Sequence, residues 1–397
     1  MNSSSGRRYF TNKLRQFSRE ISLGALSRGV PMLVSQWREG RKSSGDSSPQ
    51  FAAERAEEYL TATMKWLGQA QDARPDGGIS AYFSLYGGFG PSYLETTGYI
   101  IPTLIAYSRS RGKPEYFDRA SRATQWLIEL QDKSGGFPSG FAAPEDDLAV
   151  FDTGQILFGL LAAAQSGVDR AMDSATRAGR WLAEVQEREG HWVRYAYEGR
   201  PHVYYTMVAW ALAQLAVASD DAQVRAAALA NARWAASQQL PVGTFDQFNL
   251  GNRPTFLHFM AYTLQGLIEV GRRLDAPELI DAAERGSRPL LQQLATQPTL
   301  AGAYDKDWRP TATYECVTGL AQMSLVFQAL AEVKWPEYRT AAWQLNRRIR
   351  QTISLDGPPE ICGAVKGSEP IWGKYLRFRY PNWAAKFYAD AQMGELS

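Results

Sequence analysis

The chain has 397 residues, 45% hydrophobic and 21% charged, enough apolar material for a large core. Lys and Arg number 43 against 41 Asp and Glu, a net charge of +2 that steers it toward neither nucleic acid nor an acidic partner. Two cysteines, Cys316 and Cys362, exclude a disulfide framework and a four-cysteine zinc site, while 12 Trp and 19 Tyr must be housed.

Residues 1–50 differ from the rest. Nine basic residues stand there against Glu20, Glu39 and Asp46. Phe10, Leu14, Phe17 and Ile21 recur at helical spacing, so an Arg-rich helix with one apolar face is expected. Two readings stay open for it: a peripheral anchor on anionic lipid, or a helix that packs back on the domain before the Ser-rich linker at 43–48. No stretch is apolar enough to span a bilayer, because Arg28 and Pro31 break the best one, Ile21–Trp37. A cytoplasmic protein is the expectation, with membrane contact, if any, through this extension.

From residue 51 to 397 the chain repeats as one domain. Trp66–Gln71, Trp126–Gln131, Trp181–Gln186 and Trp234–Gln239 carry the same mark, and Gln297 and Gln351 continue it without the Trp. Successive Gln spacings are 60, 55, 53, 58 and 54 residues, so six units fill the domain. Each unit reads as an amphipathic helix such as Glu115–Gln131 or Asp169–Gln186, then a Gly-rich turn, then a more uniformly apolar helix. The apolar ones include Thr153–Ala164, Thr206–Ala218 and Leu257–Val270. A polar stripe marks an outer helix and an all-round apolar surface an inner one, so the expected fold is all-α, an (α/α)6 toroid of six outer–inner pairs.

The run Arg177-Ala-Gly-Arg-Trp181-Leu182, Gln186, Gly190, Trp192 resembles the QW motif of the squalene cyclase and prenyltransferase repeat superfamily, with Ala178 where a Gly is usual. The resemblance implies a structural role: the Gln bonds the backbone at a helix end and the aromatic stacks on the next unit. The inherited chemistries are weakened by what is missing. Of a cyclase Asp-x-Asp-Asp only Asp152 stands in Ala149-Val150-Phe151-Asp152-Thr153, and Asp146-Asp147 lacks the third carboxylate of an Asp-Asp-x-x-Asp cluster. Tyr314-Glu315-Cys316 is no prenyltransferase zinc site. Three scattered histidines leave no paired metal-ligand spacing, and Gly87-Gly88-Phe89-Gly90 is a turn, not a nucleotide fingerprint; no metal and no cofactor are expected.

In register, the inner helices begin near Glu95, Asp152, Tyr205, His258, Glu315 and Asn382, and a toroid turns those ends toward one central cavity. The turns before them are rich in Tyr, with Asp305, Asp307, Trp308 and Arg309 in the fifth. The sixth holds Lys366, Trp372, Lys374, Tyr375, Arg377, Arg379, Asn382, Trp383 and Lys386. Aromatic faces beside carboxylates and cations suit sugars, whose rings stack while their hydroxyls bond polar groups. The rim resembles that of carbohydrate-active toroids, including uronate lyases and C5-epimerases. That resemblance implies an anionic oligo- or polysaccharide substrate and removal of its C5 proton. The proton carriers would be among His202, Tyr204, Tyr205 and His258, and the groups that stabilise the enolate among Arg253, Arg309, Arg379 and Asn382. The segment Lys366-Gly-Ser-x-Pro370-Ile-Trp-Gly-x-Tyr375 with Tyr380-Pro-Asn-Trp-Ala384 also looks like uncharacterised toroid proteins of bacterial polysaccharide loci.

Each candidate has a structural reading beside the catalytic one. His258 is a core histidine on that reading; His202, Tyr204 and Tyr205 pack the third inner helix, and Asp152 and Glu95 are N-caps. The cysteines are inert, and the basic cluster is a solvated edge. Glycoside hydrolysis needs two carboxylates about 5–5.5 Å or about 6.5–9.5 Å apart, for which Glu95, Asp147, Asp152, Asp305, Asp307 and Glu315 are available. An isoprenoid enzyme with altered acid residues and a non-catalytic glycan- or protein-binding toroid complete the alternatives.

Overall fold

A computed structural model of the chain describes residues 49–141, 147–246 and 254–397. The expected basic helix and linker, residues 1–48, lie outside the described residues, as does Arg253. Twelve α-helices alternate outward and inward among the described residues. The outer ones are α1 (Pro49–Asp72), α3 (Pro114–Leu130), α5 (Ala171–Glu184), α7 (Ala222–Ser237), α9 (Pro277–Leu294) and α11 (Tyr338–Arg350). The inner ones are α2 (Leu94–Arg111), α4 (Val150–Gln165), α6 (Thr206–Ser219), α8 (Leu257–Leu274), α10 (Val317–Val333) and α12 (Asn382–Glu395). Each inner helix packs on the next and on its outer partner; α12 packs on both α2 and α1, which closes the ring. The fold is an α/α toroid, with the boundaries expected from the sequence shifted by a few residues. No helix among the described residues is long and apolar enough to cross a membrane.

Small residues let the inner helices approach. A Cβ on Gly159 of α4 would stand 2.3 Å from the Gly98 carbonyl oxygen of α2, and one on Gly98 would meet the Ile156 backbone at 2.4 Å. Even alanine at these positions would force the helices apart.

The repeated Gln joins one unit to the next. Nε2 of Gln71, Gln131, Gln186 and Gln239 donates to the carbonyl of the turn glycine, Gly77, Gly135, Gly190 or Gly243, at 2.9–3.1 Å. It donates a second bond to the following outer helix, at Arg119, Ser174, Ala227 or Ala282, at 2.8–3.0 Å. Arg177 and Arg285 of that next helix donate to Oε1 of Gln131 and Gln239. The Arg that heads one copy of the motif thus secures the Gln that ends the copy before it. Gly135 has φ +105°, and an added Cβ there would stand 2.4 Å from the Arg177 carbonyl oxygen, so the turn takes glycine for both conformation and space.

Gln297 and Gln351 do not repeat this. Gln344 of α11 reaches back instead, donating to the Gln297 carbonyl at 3.2 Å, and Gln351 only accepts from Arg348 at 3.3 Å. Where the chain ends meet, Trp66 donates to the Glu360 carbonyl at 2.8 Å and Thr63 to that of Gly363 at 2.9 Å.

The described parts of the long connections, 73–93, 131–149, 185–205, 238–256, 295–316 and 351–381, lie between outer and inner helices at one end of the ring. They are laced by short strands. β1 (Tyr82–Ser84) pairs antiparallel with β7 (Arg379–Pro381), joining the first and last units; β3 (Thr255–Phe256) pairs with β4 (Ala303–Tyr304), and β5 (Glu315–Cys316) with β6 (Ser368–Glu369). The remaining strand, β2 (Gly88–Phe89), forms a hairpin with β1.

Replacing Gln131 by Leu removes both donated bonds and leaves buried carbonyls short of a partner. A loss of about 1–3 kcal/mol in chemical denaturation is expected, against less than about 0.5 kcal/mol for Gln351→Leu at its exposed position. Equal effects would mean that the bonds to the next helix carry no weight.

Candidate functional site

The inner helices start at the end where the long loops gather, so their first two turns line the centre. Glu95 and Tyr99 come from α2, Phe151 and Asp152 from α4, His258 and Tyr262 from α8, Gln322 from α10, and Trp383, Lys386 and Phe387 from α12. Tyr204 and Tyr205 stand just before α6, and Tyr375 belongs to the last loop. Rings connect them. Phe151 lies 5.1 Å from Tyr204 and 5.6 Å from Tyr262, Tyr262 4.4 Å from His258 and 5.8 Å from Phe387, and Phe387 5.5 Å from Tyr99. Tyr375 lies 5.5 Å from His258 and accepts the Trp383 indole N–H at 2.9 Å.

Tyr99 and Tyr262 belong to α2 and α8, three places apart in a ring of six and therefore opposite. Their hydroxyls lie near enough for each to act on the ionisation of the other, so the pair spans the centre. Glu95 and His258 precede them by four residues on the same two helices. Each therefore stands about 6 Å nearer the loop end, on opposite sides of the axis.

Burial dominates the electrostatics. It pushes the hydroxyls of Tyr99, Tyr262 and Tyr375 far above the ordinary phenol value, and the charge of Glu95 adds to the effect at Tyr99 and Tyr262. Tyr205 is raised by burial too, and the charges of Asp152 and Glu95 both act on it. Glu95, 9% exposed, accepts the Tyr93 hydroxyl at 2.6 Å. A carboxylate in the first turn of α2 also benefits from the positive helix end.

The two histidines divide their roles. Burial lowers both to about 4, so both are neutral at pH 7. His202 places Nε2 2.8 Å from the Tyr197 carbonyl, which only accepts, so Nε2–H is spent on the loop. His258 places Nδ1 2.6 Å from Gln322 Oε1, so Nδ1 carries the proton and Nε2 holds a bare lone pair. The amide nitrogen of Gln322 is buried without a partner among the described residues.

Other expected residues serve the frame. Asp152 is 1% exposed and accepts the Gly140 N–H at 3.0 Å; the N-caps of α4 and α2 are Ala149 and Tyr93, so neither Asp152 nor Glu95 caps its helix. Glu315 pairs with Arg348 of α11 at 2.9 Å. Asp305 accepts the N–H groups of Asp307 and Arg309, Asp307 pairs with Arg309 at 3.4 Å, and the Trp308 indole donates to the Val242 carbonyl at 3.0 Å, so this turn braces the preceding loop. Asn382 donates to the Ser80 carbonyl and Thr96 Oγ1, both at 2.9 Å, and Arg379 lies 5.0 Å from the Tyr82 ring centre. Those two residues tie the last unit to the first. Lys386 pairs with Asp390 at 2.7 Å above the ring of Phe387. Cys316 is buried, which pushes its thiol to about 12. Among the described residues no three His, Cys, Asp or Glu side chains gather to hold a metal ion.

Sequence reasoning did not select Tyr99, Phe151, Tyr262, Gln322 or Phe387. Three of them lie four residues beyond a chosen one, at Glu95, His258 and Trp383, and the helical i, i+4 rule would have found these.

No protein-family model and no curated relative matches the chain. Solved structures do. An unsaturated glucuronyl hydrolase from a Bacillus species, described as responsible for the degradation of glycosaminoglycan, has a TM-score of 0.66 at 13% identity, covering 85% of this chain and 96% of its own. Cellobiose 2-epimerase from Bacillus thermoamylovorans has a TM-score of 0.70 at 12% identity, covering 88% and 100%. Cellobiose 2-epimerase from Spirochaeta thermophila has a TM-score of 0.69 at 16% identity, covering 87% and 96%. At these identities the likeness is one of fold.

Lowered histidines make stability depend on acid. Protons bind the unfolded chain first, near the ordinary value of 6.5, and the folded one only near 4. Stability is therefore flat above pH 6.5 and falls through the window from 6.5 to 4, by up to about 3 kcal/mol per histidine. Melting temperatures of wild type and His202→Asn/His258→Asn across that window test this: the double variant should lose most of the slope, and an unchanged slope would assign it to other groups.

Proposed function

We propose that the centre of the ring is the active site of a carbohydrate-active enzyme that moves a proton on a sugar, as an epimerase or lyase does, with hydrolysis as the second outcome to test. The observation that carries this is the opposition of Glu95 and His258, one turn above a tyrosine pair that spans the ring. A pyranose lying on that pair has a carboxylate on one side and the bare Nε2 of a neutral imidazole on the other, the arrangement that removes a proton from one face and returns it to the other. The aromatic walls favour the apolar faces of the sugar, and the unpartnered Gln322 amide suits a hydroxyl or carboxylate of the substrate.

The toroids similar in fold support a sugar substrate, since their names specify glucuronyl groups, cellobiose and, in one further case, D-mannose. A uronate fits the chemistry best, because its carboxylate acidifies the C5–H bond. Tyr93, which donates to Glu95, holds that carboxylate in place, and Tyr375, His202 and Tyr205 orient rather than exchange protons. We read the resemblance to squalene cyclase and prenyltransferase repeats as shared architecture: its residues, the Gln and the turn, all serve the frame.

Incubation in deuterated water with uronate-containing disaccharides, cellobiose and mannose tests the reading. Deuterium at a ring carbon identifies proton abstraction, a new absorbance from an unsaturated uronate identifies elimination, and a new reducing end identifies hydrolysis. Glu95→Gln should lower kcat by about 100-fold or more, and His258→Asn by a similar factor. No change to any sugar, with consumption of a prenyl diphosphate instead, would overturn it.

A further inference from the structure

A second concavity opens beside the centre. It has a volume of about 750 Å³ and lies between β3, the segment 311–314 and the segment 370–377 of the last loop. Pockets of this size take ligands larger than one sugar ring. Phe256, Phe259, Tyr314 and Trp372 line it, with Lys374 and Arg377 as its charged residues; no carboxylate is among the lining residues.

Two features set these side chains apart from the rest of the molecule. Trp372 is 56% exposed, the one aromatic among the large hydrophobic side chains that remain exposed in the described residues. An indole left in water beside a cavity costs hydrophobic free energy that a stacked ring would recover. The cations differ as well. Lys366 pairs with Glu369 at 2.7 Å, Lys386 with Asp390 at 2.7 Å and Arg348 with Glu315 at 2.9 Å. Lys374 and Arg377 have no carboxylate partner among the described residues, and the Arg377 guanidinium is held only by donating Nε–H to the Trp372 carbonyl at 3.0 Å. That bond fixes the fork beside the indole and leaves its terminal N–H groups to bind a carboxylate.

The wall of the cavity adjoins the centre. Phe259 on its wall lies 5.2 Å from His258 and 4.9 Å from Tyr204, and Phe256 lies 5.3 Å from Tyr375. A chain with one residue between Glu95 and His258 would pass over Phe256 and Phe259 and set a later residue beside Trp372.

We propose that this cavity is a distal subsite for an acidic sugar, stacked on Trp372 with its carboxylate on Lys374 and Arg377, so that the substrate is an acidic oligosaccharide rather than a monosaccharide. The proposal rests on the sugar reading of the centre for its reaction, but not for its binding. The basic cluster of the last loop is thereby divided: Lys366 and Lys386 are neutralised within the fold, while Lys374 and Arg377 meet the ligand.

Calorimetric titration of the full chain with digalacturonate, tetragalacturonate and neutral cellotetraose, repeated at low and high salt, tests it. Wild type should bind tetragalacturonate at least about tenfold tighter than cellotetraose, with the preference shrinking in salt. Lys374→Ala/Arg377→Ala should abolish the preference, and Trp372→Ala should weaken both tetrasaccharides. A preference that survives in the double variant overturns the subsite, even if Glu95-dependent turnover of sugars is intact. Conversely, a preference lost in the double variant without turnover of any sugar supports the subsite while overturning the reading of the centre.

Discussion

Backbone groups that a helix cannot satisfy by itself hold this ring together. The first N–H of an inner helix has no partner within its own helix. Here it donates outward, into the loop of the following unit: Leu94 to Gly140, Val150 to Tyr195, Leu257 to Gly302 and Val317 to Gly367, while Asn382 returns to Ala81 of the first unit. Together with the Gln bonds on the outer layer, these ties make each unit incomplete without its neighbour. A ring is the arrangement in which no unit is left at an end, and the β1–β7 pairing is where the chain completes it.

That same constraint decides where the loops and the inner helix starts meet. Loops of five units reach a neighbour's helix start, the long connections gather at one end, and the short ones, 112–113 and 220–221 among them, stay at the other. The end built of loops is the one at which the inner helices present their positive ends, and it is where Glu95 sits. Deeper in, burial keeps phenols and imidazoles neutral, so the centre is mostly aromatic around Glu95 and Asp152, with Lys386 paired to Asp390, while the unpaired cations stand farther out beside Trp372.

Much of this was legible in the residues. The Gln–Trp repeat and the alternation of striped and apolar helices marked twelve helices, their order and the end at which the inner helices begin. Glu95 and His258 were legible as inner helix starts, but their opposition was not, because it follows from counting positions around a closed ring. Elsewhere chemical type did not disclose the partner. Glu315 looked like a catalytic carboxylate and pairs with Arg348, and Asp305, Asp307 and Arg309 looked like substrate ligands and fold a turn. A carboxylate at a loop end answers equally to a neighbouring Arg, a backbone N–H or a ligand, and only the partner's position chooses among them. Gln297 and Gln351 likewise carried the right spacing without the bonds, since Gln344 from the next outer helix took over the first of those junctions.

By itself, the sequence determined the periodic frame: local helix propensity, amphipathic stripes and a bonded Gln turn repeat with the chain and need no knowledge of distant residues. Tertiary structure alone decided which side chains meet. Tyr99 and Tyr262 are far apart in sequence, as are Phe256 and Trp372, and their proximity depends on the number of units in the ring and on its closure. Burial, which sets the charge state of His258 and the phenols, is likewise a property of that closed ring and not of any segment within it.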